Sequence, residues 1–137
     1  MDIETLVTTA VDCGFRTHKG LGPGLLESAY HAVIEELLRR KGLHVESQRL
    51  IPIKFDDIVI DNGFRADLIV EGRLLIELKS VERLAPVHGK QVLTYLRLAN
   101  LPIGLLMNFG GQTFKEGLRR IVNGFDELNS SYRKQVS

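Results

Sequence analysis

The stretch that most limits how this chain can fold is Phe64–Ser80, F-R-A-D-L-I-V-E-G-R-L-L-I-E-L-K-S. Leu68, Ile69 and Val70, followed by Leu74, Leu75, Ile76 and Leu78, read as two buried strands joined by a turn at Glu71-Gly72. Asp67, Glu77 and Lys79 interrupt this apolar run, and charge there requires a countercharge or a cation. Glu77 and Lys79 are two apart, so they share one face of the sheet. A two-residue turn would set Asp67 opposite Ile76 and send the two acids to different faces. A three-residue loop or a bulge, with Gly72 as its left-handed residue, brings Asp67 to Glu77. Two converging acids and a lysine are what metal-assisted phosphodiester hydrolysis requires; the competing reading is a solvated Glu77–Lys79 ion pair of little energetic weight.

Around this hairpin the periodicities predict helices and further strands. Ile3, Leu6, Val7, Ala10, Val11 and Phe15 describe an amphipathic first helix, N-capped by Asp2 and ending near His18. After K-G-L-G-P-G, a second helix is expected from about Leu25 to Lys41, burying Leu26, Ala29, Tyr30, Val33, Ile34, Leu37 and Leu38, with Gly42 as its left-handed cap. Leu43–Ser47, Leu50–Phe55, Ile58–Ile60, Phe64–Val70 and Arg73–Lys79 read as five strands of a meander. Pro86 opens a third helix, Ile103–Phe109 is an apolar strand of the doubly buried kind, and a last helix is expected from Thr113 to about Leu128. The order ααβββββαβα predicts an α/β fold with a mixed sheet flanked by helices, a β-α-β crossover supplying its parallel strand.

A chain of 137 residues, 44% of them hydrophobic, suits one domain, here expected over residues 1–128 with a flexible tail at 129–137. Eighteen basic and seventeen acidic residues leave no global positive field. A polyanionic partner would therefore be held by local patches, for which Arg39-Arg40-Lys41, Arg119-Arg120 and Arg133-Lys134 are candidates beside their ordinary reading as solvated helix ends. Cys13 is the single cysteine and fits a reducing compartment. With no apolar run near the roughly 20 residues of a membrane span, a cytoplasmic protein without membrane contact is expected.

Three further polar positions fall on predicted helices. Glu27 lies in the first turn of the second helix, where it reads equally as a dipole-compensating acid or a functional one. Gln91 and Tyr95 share a face of the third helix, with His88 one turn earlier on the same side. Taken together, Gly24-x-x-Glu27-x-x-Tyr30, then Asp67 with Glu77-x-Lys79, then Gln91-x-x-x-Tyr95 resemble the GxxExxY family of the PD-(D/E)XK nuclease superfamily, in its RecB-like and phage-exonuclease-like branch. The resemblance runs from about Leu6 to Ile121, and it departs from the pattern at Ala66, where the proline before the first acid is expected.

The resemblance implies a restriction-endonuclease-like core and a Mg²⁺- or Mn²⁺-dependent deoxyribonuclease of little sequence preference, with exonuclease action within its range. Asp67, Glu77 and the Leu78 backbone carbonyl would hold the metal, with Glu27 as a further carboxylate; Lys79 and Gln91 would act on the attacking water or the phosphate. Tyr30, Tyr95 and His88 would support the acids or contact nucleic acid, DNA before RNA. The resemblance leaves two alternatives open: a non-catalytic nucleic-acid-binding or assembly module on the same fold, and a phosphoesterase acting on small nucleotides. Self-association is expected as well, because it would gather scattered basic residues around one substrate.

Overall fold

The computed structural model describes residues 1–124. Helix α1 (Ile3–Leu21) is capped by Asp2, whose carboxylate accepts the Thr5 N–H at 2.7 Å, and α2 (Glu27–Arg40) follows after a turn that uses left-handed Gly22 and Gly24. Strands β1 (Val45–Phe55), β2 (Ile58–Val70) and β3 (Leu74–Lys79) form the meander, α3 (Pro86–Ala99) crosses over to β4 (Ile103–Asn108), and a 3₁₀ turn (Lys115–Gly117) leads into β5 (Leu118–Val122). The five strands lie in chain order, with β3–β4 the parallel pair in an otherwise antiparallel sheet. Leu6, Ala10, Tyr30, Ile34 and Leu38 of α1 and α2 pack on one face, against Leu68, Leu74, Ile76, Leu78 and Met107. Val92 and Leu96 of α3 pack on the other, against Ile69, Leu75 and Leu106.

The predicted α/β mixed sheet and its parallel crossover are present, and three local expectations are corrected. First, five expected strands in the meander are three. The break expected at Gln48-Arg49 is a single left-handed residue, Gln48 (φ 56°), and Asp61-Asn62-Gly63 bulges within β2 opposite Pro52. Both irregularities sit inside ladders that resume on either side. Second, the expected last helix is a 3₁₀ turn and a strand. Leu118, Ile121 and Val122 suit either period, but β4 is buried along its whole length and needs a neighbour on its free edge, so β5 pairs with it from Met107–Leu118 to Ile103–Val122. Third, Phe15 and Leu26 are not core residues. Phe15 is 50% exposed with the Lys19 ammonium 5.9 Å from its ring centroid, and Leu26 is 79% exposed as the residue just ahead of α2.

Cys13 is buried, and burial pushes its thiol upward. Most candidate basic patches are internally paired: Arg39 with Glu35, Arg40 with Glu36, and Arg120 with Glu4. Arg119 and Arg120 lie on β5 rather than at a helix end. Among the described residues no helix is long and apolar enough to cross a membrane. The end of the expected last helix, Arg133-Lys134 and the expected tail at 129–137 lie outside the described residues.

Candidate active site

The hairpin that carries the acids closes with a three-residue loop, Val70 facing Leu74 across Glu71, Gly72 and Arg73. Glu71 and Gly72 are both left-handed (φ 54° and 63°), so the glycine supplies one of two such residues. Continuing the register past Leu68–Ile76 sets Asp67 opposite Glu77, the parity that convergence requires. There the regular ladder gives way to reciprocal bonds through side chains. The Asp67 carboxylate accepts the Leu78 N–H at 2.8 Å, and the Glu77 carboxylate accepts the Asp67 N–H at 3.2 Å. A strand residue sends its N–H and C=O from the same edge, so the Leu78 carbonyl also looks into this fork.

Glu77 is 5% exposed. Burial, and after it the charge of Asp67, pushes its carboxyl up to about 9, with Lys79 opposing. Two acids this close cannot both ionise without cost unless positive charge joins them. Burial, then Glu77 and Asp67, likewise raises the Tyr95 phenol, which places Tyr95 beside the pair on the α3 side. Its ring stacks on Phe64, centroids 3.9 Å apart at 9°, which locks the aromatic against β2. From the other side, partial burial and the Asp67 charge raise Glu27, with Lys79 and His31 opposing. Glu27, at the start of α2, therefore lies within electrostatic reach of Asp67 and Lys79. The end of β3 is tied to that approach by Ser80, whose hydroxyl donates to the Leu25 carbonyl at 2.7 Å.

The remaining candidates separate by role. Tyr30 is fully buried, stacks on Phe109 (4.6 Å, 11°), donates its hydroxyl to the Gly22 carbonyl at 2.6 Å and accepts the Leu25 N–H at 3.1 Å. It therefore shapes the α1–α2 turn; it neither braces the acids nor offers a nucleic-acid contact. His88 caps α3, its Nδ1 accepting the Ala85 N–H at 3.0 Å. Gln91 is half-buried on α3, one turn before Tyr95. Lys79 is half-buried, in parallel register with Asn108.

A divalent cation fits this donor set. Asp67 and Glu77 present hard oxygens, their like charges lack a sufficient counter-ion, and Mg²⁺ or Mn²⁺ sites need only one or two carboxylates when water and phosphate complete the octahedron. Among the described residues no three His, Cys, Asp or Glu side chains are gathered tightly enough to hold an ion together. Glu27 thus stands beside the Asp67–Glu77 pair rather than completing a three-carboxylate cluster with it.

Two contributors were not foreseen. Gln48 lies across β1 from Asp67, and its left-handed backbone had no signal in the sequence beyond the expected strand break. Asn108 binds both backbone groups of Val81, accepting its N–H at 2.9 Å and donating to its carbonyl at 2.8 Å, and so fixes the loop that follows Lys79. A lone asparagine after an apolar strand announces neither duty.

Comparison with known proteins agrees with the topology. No curated protein matches the chain. The crystal structure of SSO0001 is similar in fold, with a TM-score of 0.51 at 21% identity, covering 94% of this chain and 71% of that one. The family model of the PD-(D/E)XK nuclease superfamily matches residues 4–121, a span that takes in both acids, Lys79, Gln91 and all five strands up to Ile121. With the hairpin register, the acid pair and that match in agreement, the chain belongs to the PD-(D/E)XK nuclease superfamily.

Proposed function

We propose that the protein is a metal-dependent deoxyribonuclease of little sequence preference, hydrolysing phosphodiester bonds at the Asp67–Glu77–Lys79 fork. The observation that carries this reading is the carboxylate pair of buried Glu77 and half-buried Asp67, held by reciprocal backbone bonds and short of positive charge. When bound, Mg²⁺ or Mn²⁺ would lower the pKa of a coordinated water and offset charge on the phosphate. Asp67, Glu77 and the Leu78 carbonyl are the groups that would hold it. Lys79 would orient the attacking water and counter the negative charge growing on the phosphate, and Gln91 would position that water or the backbone. Glu27 would act through water at the rim. Tyr95 supports the acids from the α3 side.

Little sequence preference is supported by the lack of helix-turn-helix or zinc-finger patterns in these 137 residues. Self-association belongs to the same reading, since net charge is only +1 and the basic residues are scattered along the chain, so that several copies would gather them around one phosphate backbone. The test is a panel of labelled linear, circular and single-stranded DNA, RNA and free nucleotides, each in Mg²⁺, Mn²⁺ or EDTA. DNA should be cut only with metal. Asp67→Ala, Glu77→Ala and Lys79→Ala should each lower the rate at least about a hundredfold in folded protein. A folded Lys79→Ala variant with wild-type rate would overturn the assignment.

A further inference from the structure

We infer that Gln48 is a positioning residue, and that its left-handed backbone, rather than its amide, turns Asp67 out of the β1–β2 ladder and into the fork. The inference rests on the nuclease reading for its importance, though its geometry stands apart from it. Ser47 pairs with Leu68 and Arg49 with Ala66, so Gln48 and Asp67 are partners by register, yet that one pair is missing from the ladder. Gln48 has φ 56°, which a residue with a Cβ adopts rarely and at a cost.

The side-chain pattern reverses at the same point on both strands. Ala66 and Ile69, three apart, pack on the α3 side, whereas Leu68 and Val70 pack on the α1–α2 side. On β1, Val45 belongs to the α1–α2 side and Ile51 to the α3 side, although an even spacing would keep them together. One left-handed residue produces such a reversal by turning the strand about its axis. Strictly alternating strands would continue the Asp67 ladder; here Asp67 is released to spend its carboxylate on the Leu78 N–H and its own N–H on Glu77.

The Gln48 amide contributes little to this. Its nitrogen reaches only His31 Nδ1, at 3.5 Å, the limit of a hydrogen bond, and the residue is exposed. His31 is already engaged, its Nε2 lying 2.8 Å from the Ser47 hydroxyl and 3.3 Å from Glu35. The Gln48 side chain is thus dispensable while its backbone angle is not.

Four substitutions separate the two roles. Gln48→Gly and Gln48→Asn both accept a left-handed backbone and should keep kcat within about threefold. Gln48→Val opposes that backbone through its branched Cβ, and it should lower kcat at least about tenfold with KM nearly unchanged. In the same protein the Leu78 amide should exchange with solvent at least about tenfold faster, because its carboxylate acceptor is withdrawn. Gln48→Ala, which loses the amide and tolerates the turn at moderate cost, should fall between, and it serves if the valine variant does not fold. A loss of kcat in the glycine variant equal to that in the valine variant would overturn the inference, as would wild-type Leu78 protection in folded Gln48→Val. The exchange measurement needs no turnover, so an inactive wild-type enzyme would count against the nuclease reading and leave this inference to be decided by Leu78.

Discussion

Glu77 ties the stability of the metal-free protein to pH. Unfolded, its carboxyl titrates near the ordinary 4.5; folded, near 9. Between those values the folded chain holds a proton that the unfolded chain has released, so stability falls as pH rises, by at most about 1.4 kcal/mol per pH unit. The contribution is complete below the lower value and gone above the upper one. Urea unfolding in EDTA should therefore show a lower midpoint at about pH 8.5 than at about pH 6, and Glu77→Gln should flatten that difference while raising the midpoint at the higher pH. A wild-type midpoint that climbs across this interval would mean that the pair is already neutralised. Mn²⁺ competes with the proton and should restore the midpoint at high pH in wild type but not in Glu77→Gln. This residue was legible in the sequence because charge amid Leu75, Ile76 and Leu78 demands a reason. Gln48 was not, because a strained backbone angle leaves no trace in composition.

At the scale of elements, the α1–α2 turn and the loop after β3 are both set by a single side chain. Tyr30→Phe removes the bridge between Gly22 and Leu25, two part-buried hydrogen bonds, which should cost about 1–3 kcal/mol by thermal or chemical unfolding. Since that turn leads into Glu27, the same variant should, on the proposed function, cut DNA more slowly even at temperatures where it is fully folded. Asn108→Ala strips Val81 of two bonds in a crowded place, where a Cβ on Gly110 would already collide with the Val81 carbonyl, and should cost about 2–4 kcal/mol. An unchanged melting point would show that the loop has other anchors. The sequence disclosed these elements unevenly. The helices and the apolar hairpin followed from periodicity, and the Tyr30 hydroxyl from nothing local, since its partners lie five and eight residues back. Residues 113–122 were misread as helix because Leu118, Ile121 and Val122 satisfy a helical spacing, and only the unpaired edge of β4 decides for a strand.

For the whole molecule, the β1–β2 hairpin projects beyond the register of β3, and its outer half exposes Phe55 (69%), Ile58 and Ile60 with Ile53 on one face, by the pairs Ile53–Ile60 and Phe55–Ile58. If the expected self-association uses this face, Phe55→Ser should lower the weight-average mass in sedimentation at micromolar concentration while leaving the melting point within about 1 kcal/mol equivalent of wild type. A mass unaffected by that change would exclude the hairpin as the contact. The three-residue loop has a further consequence, in the order of assembly. Val70 and Leu74 are neighbours along the chain, whereas β3 reaches β4 only after a crossover helix, so the hairpin can form long before the parallel pair closes. The two acids then meet early, and the cost of bringing them together, as repulsion or as the proton that Glu77 must take up, is already present at the folding barrier. Neutralising Glu77 should accordingly speed refolding more than it slows unfolding, which would mark the acid-bearing hairpin as a brake that the molecule carries from its first microseconds of life.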